Sequence, residues 1–209
     1  MGVADLHCHS RFSDGTLPVD ALVALAVSRG VQLLALTDHD EVSGVGEARR
    51  AAASLGVQFV SGVEVSAQWQ GTSVHVVGLR IDEANRELTT ELARIRTERD
   101  TRAQRMGDSF AAIGIPGVLE GARAYAPNPD LLSRTHFARH LVDSGICSSI
   151  GEVFARFMKP GKPGYVRHEW LPMSDAISLI HGAGGRAVLA HPGRYETDGL
   201  GGKQALLRD

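Results

Sequence analysis

Short apolar runs that end at a histidine recur along this chain and restrict the folds that it can adopt. Residues 33–37 form a continuous apolar run, typical of a strand covered on both faces, and His39 follows soon after it. Residues 186–190 form a similar run, which His191 follows directly. Helical patterns separate the early runs. The order strand, helix, strand, helix, strand predicts an α/β fold with parallel strands and right-handed crossovers.

Helix signals lie between these strands. Pro18 marks the entrance of a first helix and Gly30 marks its end. A second helix is predicted from about residue 46 to residue 55, before Gly56. In such a pattern the carboxyl ends of the parallel strands meet at one rim, where barrel enzymes assemble their chemistry.

Histidine and carboxylate side chains, which commonly bind metals, lie on or next to the predicted strands. Residues two apart in a strand project to one face, so His7 and His9 can converge on one ion. Residues 57–65 give another short β-type stretch, in which Glu64 lies between two valines. An unpaired carboxylate is costly to bury there, which favours a metal or cationic partner. The roles of Asp14 and His75 stay open at this point. An ordinary turn residue accounts for Asp14, and an ordinary strand histidine accounts for His75, as well as a metal ligand does.

The motifs at these positions make the chain resemble the polymerase and histidinol phosphatase family, called the PHP family. The resemblance rests on DLHCHS at residues 5–10, SDG at 13–15, LTDHD at 36–40, GVEV at 62–65, His75 and AHP at 190–192. It extends over essentially the whole chain. It is greatest for the bacterial branch that contains nucleoside 3′,5′-bisphosphate phosphatases and 5′-to-3′ oligoribonucleases. The fold that it implies is α/β, a distorted (β/α)7 barrel.

The resemblance also implies a metal centre. Its ligands are expected at His7, His9, Asp14, His39, Glu64, His75 and His191, with Glu64 as the bridge between two ions. Two or three divalent ions are expected as cofactors, and mixed imidazole and carboxylate ligands suit Mn²⁺, Zn²⁺ or Fe²⁺. Among these residues, Glu64, Asp14 and His191 are expected to be catalytic.

The sequence departs from the family pattern at its carboxyl end. The family continues with a further strand that carries a Gly-x-x-Asp-x-His motif, and no such motif occurs before Asp209. The Asp and His of that motif would complete the metal positions. We therefore expect a barrel that is incomplete at the C-terminus and a chain that is a fragment. Residues 204–208 agree with this expectation, since they resemble the beginning of an amphipathic helix.

Three segments are predicted. Residues 1–82 form the first part of the barrel, residues 83–158 an inserted helical subdomain, and residues 159–209 the second part of the barrel. The insert is rich in charged helical patterns, and we expect it to cap the rim and select the substrate. Its first helix has apolar residues at the spacing of one packed face: Leu88, Leu92, Ile95 and Met106.

Four polar residues of the insert are candidates for substrate binding. Arg99, Arg102 and Arg105 recur every three residues, which places them along one flank of a helix. They form either a solvated face offset by neighbouring acids, or a clamp in which Arg99 and Arg102 bind a second phosphate of the substrate. Ser133 and Arg134 open a later helix and are predicted to offer a hydroxyl, a guanidinium and free amides to a phosphate.

Charge and cysteine content narrow the possible partners and location. The net charge of −2 gives no general attraction for nucleic acid, so duplex binding is not expected. The two cysteines, Cys8 and Cys147, are far apart, form no disulfide framework and fit a reducing cytoplasm. No run resembles a signal peptide or a membrane span, so no membrane partner is expected. The composition leaves the oligomeric state open.

The reaction expected from these residues is metal-assisted hydrolysis. No Gly-x-Ser-x-Gly elbow or P-loop occurs, and neither cysteine lies in a nucleophile context, which disfavours covalent catalysis. A hydroxide held between ions would attack phosphorus in a nucleotide, either a nucleoside 3′,5′-bisphosphate or the 5′ end of a short RNA. Two alternatives stay open: a monophosphatase similar to histidinol phosphatase, and a non-catalytic PHP interaction module.

Overall fold

The computed structural model describes residues 2–195 and 205–206 and divides the chain into two compact units. Met1–Ile95 with Glu169–Asp209 form the sheet unit, and Arg96–His168 form the helical unit. The predicted insert, residues 83–158, overlaps the helical unit, and its role as a cap stays a prediction. Of the helix predicted at residues 204–208, only Ala205 and Leu206 belong to the described residues.

A mixed, curled sheet is the scaffold of the sheet unit. Its strands follow the order β1-β2-β3-β4-β6, and β5 pairs with β3. They are β1 (Val3–Cys8), β2 (Val31–Leu36), β3 (Gln58–Trp69), β4 (Thr72–Leu79), β5 (Leu171–Pro172) and β6 (Arg186–Leu189). β1, β2 and β3 pair in parallel, as predicted, whereas β4 is antiparallel to both β3 and β6. The described residues thus have a mixed α/β fold, while the (β/α)7 barrel and its incomplete end stay predictions.

β3 is a longer strand than its sequence pattern indicates, and Gly62 lies near its middle. A Cβ atom at Gly62 would lie 2.8 Å from the carbonyl oxygen of Leu36 and 2.8 Å from Cγ2 of Thr37. The missing side chain therefore lets the end of β2 come close to β3. The chain continues along β3 after β2 ends, and His39 forms a β-bridge with Glu64. Two of the predicted ligands are placed side by side in this way.

Helices α1 (Val19–Ser28) and α2 (Val45–Leu55) connect the three parallel strands. Both agree with the predicted start and stop signals. Gly56 ends α2 in the left-handed conformation, with φ of 72°, which glycine adopts without steric cost. The buried faces of the two helices share one apolar cluster with β2.

The remaining helices of the described residues are one long helix and several short ones. α3 (Arg86–Ala112) begins in the sheet unit and continues into the helical unit. The helical unit also contains α4 (Val118–Ala124), α5 (Arg134–Asp143) and α6 (Ile150–Val153), which leads into a π-helical turn at Phe154–Met158. α7 (Met173–Gly182) belongs to the sheet unit. The predicted packed face of α3 is confirmed by four buried residues: Leu88, Leu92, Ile95 and Met106.

Among residues 2–195, no helix combines the length and the apolar character that a bilayer span requires.

Candidate metal centre

Glu64 is a buried carboxylate surrounded by imidazole rings. Its side chain is 1% exposed, and each of its two oxygens faces a separate group of ring nitrogens. Oε2 lies 3.1 Å from Nε2 of His7, 3.1 Å from Nε2 of His9 and 3.2 Å from Nδ1 of His39. Oε1 lies 3.0 Å from Nδ1 of His75 and 3.0 Å from Nε2 of His191. The structure therefore brings six of the seven predicted ligands into direct contact in the sheet unit.

β1 supplies His7, and His9 follows directly after its last residue, with both side chains on one face as strand alternation predicts. Their ring centroids are 5.3 Å apart. Cys8, between them, points the other way, and its thiol donates to the carbonyl oxygen of Ala35 at 3.2 Å. Burial raises the pKa of Cys8 to about 12, so its thiol stays protonated and is a poor metal ligand.

The segment after β2 fixes the backbone of Glu64 on both sides. The amide of Glu64 donates to the carbonyl oxygen of Asp38 at 3.1 Å, and the amide of Asp40 donates to the carbonyl oxygen of Glu64 at 3.0 Å. These two bonds are the parallel-strand pattern and hold His39 opposite Glu64. Asp40 has a positive φ of 50°, and its carboxylate accepts from the amide of Ser66 at 2.7 Å and from its hydroxyl at 2.8 Å.

β4 and the chain after β6 supply the two predicted ligands that lie at Oε1 of Glu64. Glu64 pairs with Val77 in the β3–β4 hairpin, so His75 lies diagonally opposite Glu64 on the same face. His191 has a left-handed backbone, with φ of 32° and ψ of 56°, directly before Pro192. This conformation is unfavourable for a residue that has a Cβ atom and precedes proline. Contacts from elsewhere in the fold must therefore hold His191 in place.

Asp14, the seventh predicted ligand, lies at the edge of the cluster. Its Oδ2 atom is 3.9 Å from Nε2 of His39, and Asp14, His9 and His39 offer ligand atoms within 4.8 Å of one another. A buried carboxylate, Asp38, holds the loop that carries Asp14. It accepts hydrogen bonds from the amide and hydroxyl of Ser10 and from the hydroxyl of Ser13.

Replacing Asp38 with alanine is expected to destabilise the fold and release this loop. The change removes a charged acceptor shared by three donors, and hydrogen bonds to charged groups contribute about 1.5 to 3 kcal/mol each. We expect the free energy of unfolding, measured by urea denaturation, to fall by roughly 3 kcal/mol. The control is Asp108→Ala, at an exposed carboxylate of α3, which should change it by less than about 0.5 kcal/mol. Equal stabilities of the two variants would contradict this role of Asp38.

Electrostatics at Glu64, His39 and His191 favour the forms that bind cations. At His9, burial would lower the pKa, but the hydrogen bond to Glu64 and nearby carboxylates raise it. Burial would raise the pKa of Glu64, but hydrogen bonds from His7 and other surrounding imidazoles outweigh it and lower that pKa well below its usual range. Burial lowers the pKa of His39 despite the opposing charge of Glu64. Burial likewise lowers the pKa of His191. Near neutral pH, Glu64 is therefore ionised while His39 and His191 are neutral, which are the states in which these groups bind metals.

The donor set fits divalent metal ions. Two donors that each lie about 2.1 Å from one ion are roughly 3.0 to 3.4 Å apart, which matches the separations around Glu64. Nδ1 of His39 lies 3.2 Å from Oε2 of Glu64 without the geometry of a hydrogen bond. Nδ1 of His9 and Nδ1 of His191 are also buried without a hydrogen-bond partner. Hydrogen bonding alone therefore does not account for the position of the His39 ring against Glu64, and the imidazole and carboxylate donors suit divalent ions.

A comparison with protein-family models agrees with this cluster. The model described as the PHP domain matches residues 5–162, more than half of the chain. The chain belongs to the PHP domain family.

Two curated relatives of this PHP domain are phosphoester hydrolases. It is 51% identical over 196 residues to the 3′,5′-nucleoside bisphosphate phosphatase of Chromobacterium violaceum, a match that covers 94% of this chain and 69% of the relative. It is 42% identical over 195 residues to the 5′-3′ exoribonuclease of Haemophilus influenzae, covering 93% of this chain and 70% of the relative. This PHP domain is accordingly a phosphoesterase.

Two solved structures share the fold. A Chromobacterium violaceum amidohydrolase with bound sulfate and no metal matches with a TM-score of 0.94 at 49% identity, covering 98% of this chain and 72% of that protein. A metal-dependent phosphoesterase from Bifidobacterium adolescentis matches with a TM-score of 0.86 at 28% identity, covering 98% and 73%. The His and Glu groups of this PHP domain are therefore candidate metal ligands within a fold shared with a metal-dependent phosphoesterase.

The predicted substrate-binding arginines of this PHP domain lie in the helical unit. Arg99 is buried, Arg102 is partly buried and Arg105 is exposed, so a uniformly solvated face does not describe this flank of α3. Burial lowers the pKa of Arg102 to about 9, and the positive charges of Arg134 and Arg99 lower it too. These three guanidinium groups, Arg99, Arg102 and Arg134, are the arginine cluster.

Ser133 has a structural role at the start of α5. Its hydroxyl accepts a hydrogen bond from the amide of Thr135 at 3.2 Å, and its own amide donates to Nδ1 of His136 at 3.1 Å. The bond to His136 is one half of a capping box in which a histidine takes the usual place of a glutamate; in the other half the Ser133 side chain accepts from the amide of His136. The guanidinium carbon of Arg134 lies 5.5 Å from the ring centroid of Phe154. Contact of Ser133 and Arg134 with a phosphate stays a prediction.

Proposed function

We propose that this chain hydrolyses a phosphate ester of a nucleotide, using divalent metal ions bound around Glu64. The observation that carries the proposal is the division of the imidazoles between the two oxygens of Glu64, with three at Oε2 and two at Oε1. A carboxylate in such a position can bridge two ions. The names of the two relatives support a nucleoside 3′,5′-bisphosphate or the 5′ end of a short RNA as the substrate.

The residues fall into three overlapping groups that could each hold an ion. The groups are His7 with His9 and Glu64, His39 with Glu64 and His75, and His9 with Asp14 and His39. His191 adds a nitrogen at Oε1 of Glu64. We propose two or three ions, and the mixture of imidazole and carboxylate donors suits Mn²⁺, Zn²⁺ or Fe²⁺. Ions bound here would lower the pKa of water and neutralise charge on the phosphate oxygens.

The chain's own groups would orient the substrate and transfer protons. Glu64, held by backbone bonds on both sides, keeps the imidazoles converged and supplies a fixed negative charge. Asp14 and His191 have side chains that are 15% and 22% exposed, against 1% for Glu64, so solvent and substrate reach them more easily. We assign to Asp14 and His191 the transfer of protons from the attacking water and to the departing alcohol.

The arginine cluster is proposed to bind a phosphate group of the substrate. Burial lowers the pKa of Arg102 to about 9, and the positive charges of Arg134 and Arg99 lower it further. A bound anion would offset the repulsion between these charges. Guanidinium groups bind phosphate through paired N–H donors in a fixed geometry. Several arginines favour a substrate with two phosphates or an RNA end over a small monophosphate such as histidinol phosphate.

The test compares phosphate release from four substrates in the presence of Mn²⁺. They are adenosine 3′,5′-bisphosphate, adenosine 5′-monophosphate, a 5′-phosphorylated oligoribonucleotide and histidinol phosphate. We expect kcat/KM for the bisphosphate or the oligoribonucleotide to exceed that for histidinol phosphate by about a hundred-fold. This is the effect expected from losing the charge-assisted hydrogen bonds between the arginines and one phosphate group. Preference for histidinol phosphate would replace this proposal by the monophosphatase. Tight metal binding without any turnover would replace it by a non-catalytic module.

A further inference from the structure

Tyr195 connects the chain after β6 to the backbone of β4, next to the two imidazoles that face Oε1 of Glu64. Its side chain is buried, and its hydroxyl oxygen accepts a hydrogen bond from the amide of His75 at 2.8 Å. Its ring centroid is 5.5 Å from that of His191, with the planes tilted by 57°. The sequence offers no local signal for this contact, because 120 residues separate Tyr195 from His75.

The hydrogen bond completes a pairing that β6 leaves half made. The β4–β6 ladder ends at Val76 and Leu189. One position further, the amide of Ala190 donates to the carbonyl oxygen of His75 at 2.9 Å. In an antiparallel pair the reciprocal bond would run from the amide of His75 to Ala190. Here that amide donates to Tyr195 instead, because the chain turns away at His191.

The turn at His191 gives Tyr195 its second role. The left-handed backbone of His191 and the proline that follows form a short 3₁₀ turn, Pro192–Arg194, which brings Tyr195 back toward β4. The tyrosine ring then packs beside the His191 ring. An unfavourable backbone conformation persists only when its surroundings fix it. Tyr195 is a buried contact that can do so, because its hydroxyl is held by the amide of His75 while its ring lies against His191.

His75 and His191 are the two imidazoles that face Oε1 of Glu64, each at 3.0 Å. We propose that Tyr195 is a positioning residue that holds this pair in register and sets the affinity of the ion bound on the Oε1 side of Glu64. The inference rests on the proposed function, since it requires the metal centre. It assigns no such effect to the Oε2 side, whose imidazoles come from the end of β1, from the residue after it and from the segment after β2.

The test titrates metal-free protein with Mn²⁺ by calorimetry, for the wild type, Tyr195→Phe and Tyr195→Ala. Phenylalanine removes only the hydroxyl, whereas alanine removes the ring as well. Loss of a residue that orients a ligand costs about 10- to 100-fold in metal affinity. We expect Tyr195→Phe to weaken the binding of the ion on the Oε1 side of Glu64 by about ten-fold, and Tyr195→Ala to weaken it by more. The affinity of the other class of ion should not change. Tyr125→Phe is the matched control, because its hydroxyl also makes a hydrogen bond, to Asp143, but in the helical unit.

A second measurement does not need metal. Amide hydrogen exchange at His75 should be at least about ten-fold faster in metal-free Tyr195→Phe than in the wild type, because the bond from that amide is lost. Exchange at His75 in Tyr125→Phe should not change. A Tyr195→Phe variant that binds both classes of ion like the wild type, or that weakens both equally, would overturn the positioning role and leave the proposed function standing. A wild-type chain that binds no metal would instead overturn the proposed function, and the positioning role with it.

Discussion

Replacing Glu64 with glutamine should abolish metal binding and lower kcat by at least about a thousand-fold. Metal ions supply several kcal/mol of transition-state stabilisation, and each 1.4 kcal/mol or so is a factor of ten in rate. Glutamine has nearly the shape of glutamate but no charge. It cannot place a negative oxygen against the imidazoles on each side, which lie 3.0 to 3.2 Å from the carboxylate. Since both oxygens of Glu64 face ligands, the variant should lose every ion that the carboxylate shares.

Stability measurements separate this effect from a general loss of folding. Mn²⁺ at a hundred times its Kd should stabilise the wild type by about 2.7 kcal/mol, because it binds the folded state, whereas the variant should gain almost nothing. Glu41→Gln is the matched control. Glu41 is also buried, but its carboxylate accepts from the amide of Val42 and from the amide and hydroxyl of Ser43. If Glu64→Gln bound Mn²⁺ and kept kcat within ten-fold of the wild type, the carboxylate would not be the bridge.

Sequence alone places those ligands whose positions depend on local geometry. His7 and His9 share a face because strand side chains alternate, and Cys8 points away for the same reason. His39 was predicted from the end of an apolar run, and it does lie just beyond β2. For Asp14 and His75 the residues by themselves left two explanations open, and the family motifs decided in favour of ligands. The structure places both at the cluster, while their role as ligands stays a proposal.

Other features depend on contacts between distant residues, which no local pattern encodes. The direction of β4 follows from a two-residue hairpin loop at Gln70 and Gly71, both with positive φ, although Gln70 is not a residue that usually signals such a turn. The buried acceptor Asp38 lies 28 residues from Ser10, so its hold on the Asp14 loop appears only in three dimensions. Tyr195 was missed for the same reason. Sequence thus predicted which residues gather around Glu64, but it did not identify Tyr195, which lies beside two of them.

Replacing Arg102 with glutamine should lower kcat/KM for a nucleoside 3′,5′-bisphosphate by about fifty-fold and for a nucleoside monophosphate by less than about three-fold. A charge-assisted hydrogen bond to phosphate contributes about 1.5 to 3 kcal/mol, and it is lost only with the substrate that carries the second phosphate. Arg102→Lys should recover only part of the loss, because lysine keeps the charge but not the planar pair of donors.

The lowered pKa of Arg102 gives this prediction a second, independent part. Because Arg134 and Arg99 repel the charge of Arg102, its removal should relieve that repulsion in the ligand-free protein. The control is Arg105→Gln, three residues along α3 at an exposed position, which should leave the kcat/KM of both substrates unchanged. Equal losses for bisphosphate and monophosphate in Arg102→Gln would mean that the arginine cluster supports the helical unit and does not recognise a second phosphate. A selective loss would show that the sequence spacing of these arginines serves the substrate.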